Sequence, residues 1–92
     1  MNQYSYPSIF TYVENGIAIE FPDVPGCFSC AETKEKALKS AQEALSLHLY
    51  GMEKDNDPIP DPTEIEKVQL EKNQEVYLIH TRDISDEVIS FR

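Results

Sequence analysis

"YPSIFTYVENGIAIEF", residues 6–21, decides how this chain folds. Two runs of aromatic and β-branched residues flank Asn15-Gly16. Asn-Gly between such runs is the strongest short-range signal for a β-hairpin, because a type I′ turn needs positive φ at both central positions. A two-residue turn at Asn15-Gly16 sets Tyr12 opposite Ile19 and Phe10 opposite Phe21. Phe10, Tyr12, Ile17, Ile19 and Phe21 then share one face, while Thr11 and Glu20 share the other. The apolar set falls on one side, as a half-buried sheet requires. Pro22 ends the second strand.

Working outward, "DVPG" (residues 23–26) reads as a Pro-Gly turn and "CFSCA" (residues 27–31) as a short third strand. Thr33 is a suitable N-cap for a helix over residues 34–50, a stretch with neither Gly nor Pro. Leu38, Ala41, Leu45 and Leu49 recur at helical spacing, with Ala37 and Ala44 beside them. Glu35, Lys39, Gln42 and Ser46 fall on the opposite side, so the helix buries one face. Gly51 is placed to stop it in a left-handed turn.

"EKDNDPIPDP" (residues 53–62) holds three prolines and reads as an extended, stiff connector. Thr63 and Glu66 fit a capping box around a short helical turn at residues 64–67. "EVYLIHT" (residues 75–81) is apolar at nearly every position, which predicts a central strand covered on both faces. The order β-β-β-α-β allows a right-handed crossover through the helix. The expected fold is therefore α+β, a two-layer sandwich with one long helix on one face. Three antiparallel strands are expected, plus a last strand parallel to a neighbour. The 92 residues suffice for one domain, expected over residues 1–83, with a tail over 84–92.

Charge narrows the partners. Eight Lys and Arg oppose 17 Asp and Glu, a net of −9. Such a chain repels phosphate backbones, so direct nucleic-acid binding is not expected, while a basic protein would be attracted. "MNQYSYPS" carries no basic stretch leading into an apolar run, and no apolar run is long enough to span a bilayer. The expected compartment is the cytoplasm, where the two cysteines are free thiols.

Several of these stretches together resemble the HicB antitoxin family. They are "YPSIF" in the first strand, "AIEFPDVPGCFSC" across the second strand and turn, "AETKEKALKSAQEALSLHLYG" as the helix and "PIPDPTE" after it. Their order and spacing match the family from about Tyr6 to Thr81. The resemblance implies a partial, degenerate RNase H-like fold. It also implies binding to HicA, a small basic toxin that cleaves mRNA. Many family members carry a C-terminal DNA-binding module. Here "EVISFR" resembles the opening strand of a ribbon-helix-helix, but the helices that should follow are absent from this sequence.

The chemistry-bearing residues fit binding better than catalysis. A two-metal nuclease needs several convergent carboxylates. The first strand has none, the last offers only Glu75 at its start, and Glu43 on the helix has no evident partners. Cys27 and Cys30 are spaced C-x-x-C, but residues i and i+3 of a strand point to opposite faces, and no second pair completes a zinc site. One Cys at least is expected in the core. His48 falls in the apolar stripe of the helix and His80 in an apolar strand, positions that suit packing better than ligation. No cofactor or metal is expected, and no enzyme.

The expected function is that of an antitoxin occluding a HicA-like mRNA-cleaving toxin; the alternative is a stand-alone HicB-like binding or oligomerisation module. Asp23, Glu32, Glu35, Asp55, Asp57 and Asp61 are the candidate partner-binding residues. Glu32 and Glu35 also favour the helix dipole, and the connector acids also suit a solvated loop. An exposed sheet edge favours self-association, so a homodimer or higher oligomer is expected.

Overall fold

The computed structural model describes residues 3–82. Four strands and one long helix build it: β1 (Ser5–Val13), β2 (Gly16–Glu20), β3 (Phe28–Ala31), α1 (Lys34–Lys54) and β4 (Gln74–His80). A 3₁₀ turn, Ile65–Lys67, interrupts the connector between α1 and β4. The strands lie in the order β3-β2-β1-β4, and every neighbouring pair is antiparallel. The two-layer α+β architecture agrees with the sequence reading. The tail over residues 84–92 lies outside the described residues.

The hairpin forms, but two residues out of the expected register. Phe10 pairs with Ile19 and Tyr12 with Ile17, so the two-residue turn is Glu14-Asn15. Neither turn residue adopts positive φ, so the type I′ turn is not used. Gly16 serves another purpose. A Cβ there would lie 2.8 Å from the carbonyl oxygen of Ala31, and β3 could not approach so closely. A shift of two leaves the faces unchanged, because side chains alternate with period two. Phe10, Ile17, Ile19 and Phe21 are all buried on the helix side.

The same register explains where the β1–β2 ladder ends. Continued past Ile9 and Glu20, it would set Pro7 opposite Pro22, and neither residue has an N–H to donate. Ser8, fully buried, closes the gap by donating its hydroxyl to the Glu20 carbonyl at 3.2 Å.

The last strand overturns two expectations. It is antiparallel to β1, not parallel to a neighbour, and it lies at the sheet edge, not in the centre. The connector is the reason. Tyr6 donates its hydroxyl to the Pro60 carbonyl at one end of β1, and Tyr12 N–H donates to Asn73 O, 2.8 Å away, at the other. Residues 60–73 thus return along the whole length of the sheet and reverse the direction in which β4 enters. A sheet with no parallel pair does not support the RNase H-like detail. β1 and β2, not β4, are the strands flanked on both sides.

α1 lies over the even-numbered side of β1. Thr33 caps it, its Oγ1 accepting from Lys36 N–H at 3.2 Å. The helix runs through Gly51 to Lys54, one turn beyond the expected stop, and the left-handed residue is Asn56 (φ 57°). Ala37, Ala41, Leu45 and Leu49 are buried to the last atom against Tyr6, Phe10, Ile19 and Phe21. Two assignments on the helix change. Ser46 is buried, donating to Gln42 O at 2.7 Å and accepting from Arg82 N–H at 2.9 Å. Leu38, expected in the stripe, stays 38 % exposed.

Candidate partner-binding surface

The six predicted acids do not form one strip. α1 has 21 residues and so is about 30 Å long. Glu32 and Glu35 stand at its start; Asp55 and Asp57 stand at its end. All four are exposed, as is Asp61. Their electrostatic settings differ. Lys34, Lys36 and Lys39 surround the two glutamates in sequence. Residues 53–66 carry six acids (Glu53, Asp55, Asp57, Asp61, Glu64, Glu66) against one base, Lys54. The negative field is therefore strongest at the helix end and along the connector.

Asp23 belongs to that end of the molecule but is engaged internally. Its carboxylate accepts from Thr63 N–H at 2.8 Å and from Thr63 Oγ1–H at 2.6 Å. The "PDVPG" turn thereby clips the connector. Thr63 spends its hydroxyl on Asp23, so the expected capping box does not form; Glu64 is the N-cap of the 3₁₀ turn and makes no side-chain capping bond. Pro60 is held by Tyr6, whose phenol is pushed up in pKa, first by burial and then by Tyr4, Asp23 and Asp61. Tyr4 leans on the Tyr6 ring and donates to Glu53 Oε2 at 2.6 Å. Two hydroxyl-bearing side chains, Tyr6 and Thr63, thus fasten the connector, while Tyr4 ties the start of the sheet to the last turn of α1.

A second polar cluster, not foreseen from the sequence, sits at the opposite end of the helix face. Tyr12 and Tyr77 both donate their hydroxyls to Glu75 Oε1. Lys34 Nζ lies 3.9 Å from that oxygen and 4.8 Å above the Tyr77 ring. The Tyr12 hydroxyl bond, then that of Tyr77, holds the Glu75 carboxyl below the usual carboxylate range. The same bond to Glu75 pushes the Tyr12 phenol well up. The alternation of Glu75 and Tyr77 was visible in "EVY", but Tyr12 joins them only because β1 pairs with β4.

The remaining candidates have structural places. Cys27 is buried, and burial pushes its thiol up to about 11; Cys30 is exposed. Both are free thiols in different surroundings, and Cys27 stands just before β3 and not within the strand that the sequence reading gave it. The His48 ring lies against Gly26, 3.7 Å from where a Cβ would stand, in the turn where Gly26 takes φ +87°. His80 Nδ1 is 2.6 Å from Ser5 Oγ. Glu43 lies 3.9 Å from Arg82. Among the described residues no group of three or more His, Cys, Asp or Glu is placed to hold a metal ion. No described helix is long and apolar enough to cross a membrane.

A small sheet backed by one helix, with an acidic flank and its polar groups engaged in holding the connector, is the framework of a binding domain. Residues 6–89 match the family model described as HicB-like antitoxin of bacterial toxin–antitoxin systems, and the chain belongs to that family. It is 33 % identical over 79 residues to an uncharacterised 14.9 kDa protein of Haemophilus phage HP1, covering 86 % of this chain and 59 % of that protein. It is 38 % identical over 58 residues to Antitoxin HicB 2 of Photorhabdus laumondii, covering 63 % of this chain and 42 % of that one. The chain thus spans about half the length of these relatives.

Solved structures share the fold. A chain of a HicA3–HicB3 toxin–antitoxin complex superposes with a TM-score of 0.70 at 23 % identity, over 87 % of this chain and 100 % of that one. The N-terminal domain of Burkholderia pseudomallei antitoxin HicB does so with a TM-score of 0.70 at 20 % identity, over 88 % and 100 %.

Proposed function

We propose that this protein is the antitoxin of a type II pair and neutralises a HicA-like, small, basic, mRNA-cleaving toxin by steric occlusion. The observation that carries this reading is the family match over residues 6–89. The net charge of −9 and the likeness to a chain from a HicA3–HicB3 complex support it. Asp55, Asp57 and Asp61 form the steering surface, because the local excess of acids is greatest there; Asp23 supports them by clipping the connector. Glu32 and Glu35 form a separate, weaker contact region. Complementary charge raises the rate of encounter more than it slows dissociation. The protein acts in the cytoplasm as a homodimer or higher oligomer, without a cofactor and without contacting nucleic acid itself. Residues 1–83 are the binding domain and 84–92 a tail.

The test is to read the flanking reading frames for a short basic protein and to co-express that protein with this one. Rescue of growth and co-purification at micromolar concentration are expected, and failure of both refutes the reading. The Asp55→Asn, Asp57→Asn, Asp61→Asn triple variant is expected to associate about tenfold more slowly at low salt, with a flatter salt dependence.

A further inference from the structure

β4 leaves one sheet edge open. Tyr12 N–H bonds to Asn73 O and Thr81 N–H to Tyr4 O, which fixes the phase of the β1–β4 ladder. Glu75, Tyr77 and Ile79 therefore exchange hydrogen bonds with β1, while Gln74, Val76, Leu78 and His80 turn their backbone N–H and C=O groups outward. Sheet edges are commonly protected by proline, lysine or a bulge. "QEVYLIH" has neither proline nor lysine, and its pairing with β1 is unbroken. One outward carbonyl, that of His80, accepts from Gln42 Nε2 at 3.0 Å, where a partner strand's N–H would stand. Along this edge runs a groove of about 300 Å³ lined by Leu38, Lys39, Gln42, Leu78, Ile79 and His80. Leu38 and Leu78 are 38 % and 46 % exposed.

We propose that this edge pairs antiparallel with the β4 edge of a second copy, about a two-fold axis passing beside Tyr77. The argument is self-complementarity. With the axis at Tyr77, outward Val76 meets the partner's Leu78, and Gln74 meets the partner's His80. The reciprocal pairs form by symmetry. An axis at Leu78 would set Val76 against His80 and leave Gln74 unmatched. Charge points the same way. In a chain of net −9, the groove is lined by one lysine and no carboxylate, so two copies meet there with least repulsion. The two-fold axis is perpendicular to the sheet and keeps both helices on one side. The two Leu38 side chains then face each other across the axis. This specifies the surface of the homodimer proposed above and does not depend on toxin binding.

The experiment is sedimentation equilibrium of the full chain at ~0.1 mM, where a micromolar dimer is nearly complete, with Leu78→Lys and Val76→Lys beside it. A wild-type dimer, and a monomeric mass for either lysine variant with unchanged circular dichroism, are expected. In a Cys30→Ser background, Tyr77→Cys is expected to cross-link two chains on oxidation. Opposed residues at a non-hydrogen-bonded site bring Cα atoms about 4.5 Å apart, within disulfide reach. A monomeric wild type overturns both this inference and the dimer. A dimer that survives both lysine variants, or that does not cross-link through residue 77, places self-association elsewhere and overturns this inference alone.

Discussion

Asp23→Ala is expected to release the connector from the sheet. The carboxylate accepts two hydrogen bonds from one residue, Thr63, at 2.8 and 2.6 Å, across 40 positions of sequence. Hydrogen bonds to charged acceptors contribute about 1.5–3 kcal/mol each when shielded. Asp23 is only half-buried and Thr63 is exposed. Solvent therefore competes for both, and about 1 kcal/mol each is the appropriate scale. The variant is then destabilised by about 2 kcal/mol, and at 4–8 °C per kcal/mol for a domain of this size Tm falls by roughly 8–16 °C. Thr63→Val removes only the hydroxyl bond and costs about 1 kcal/mol. Urea denaturation of the two single variants and the double variant gives a coupling energy of about 1 kcal/mol. Limited proteolysis gives a second readout, with cleavage in residues 55–62 appearing in Asp23→Ala first. If the two single variants add within about 0.3 kcal/mol, the clip is not an energetic link and the reasoning is refuted.

Three further outcomes follow from the packing and the charges. Leu45→Ala opens a cavity beneath the helix, where Leu45 has no exposure, and is expected to cost about 3 kcal/mol by chemical denaturation. Under native conditions at pH 8 a thiol reagent should titrate one cysteine, Cys30, and should reach Cys27 only in denaturant, because burial places that thiol at about 11. Glu75 has a folded-state pKa below its unfolded value, so its contribution to stability is present above the ordinary carboxyl pKa and is lost as pH falls through the depressed one. Glu75→Gln is accordingly expected to lose less Tm than the wild type between about pH 4.3 and pH 3, measured by thermal melts; an identical slope counts against the Tyr12–Glu75–Tyr77 network.

The local elements were legible because their signals are local. Apolar alternation at residues 6–21 gave the correct buried face even with the register displaced, since a shift of two preserves the face. Thr33 announced the helix start through its own side chain. What failed depended on distant chain. Asn15-Gly16 implied a type I′ turn, but the glycine answers to Ala31 of β3, which no reading of residues 14–17 could show. The apolar run at residues 75–81 suggested a central strand; its position and direction are set by a connector fastened to Tyr6, which reads as an ordinary strand residue, and to Asp23, which the sequence marked for a partner and not for the connector. The acidic candidates were found by composition, which counts charges without locating them. Their separation into two groups appears only once the helix has its length. The Tyr12–Glu75–Tyr77 cluster needed the β1–β4 register and was therefore out of reach.

The pairing of the first strand with the last has a consequence during synthesis. β1 and β2 can zip together as soon as Glu20 is available, but the other side of β1 waits for β4. At 5–20 residues per second, the about 60 residues from Glu20 to His80 take roughly 3–12 s to add. For that interval each nascent chain presents Tyr6, Ser8 and Phe10 with their β4-facing backbone groups unpaired. Neighbouring chains growing on one message would be free to pair through this strand. Assembly of this domain is therefore a race between its own C-terminal strand and its neighbours, and a slower ribosome lengthens the exposure.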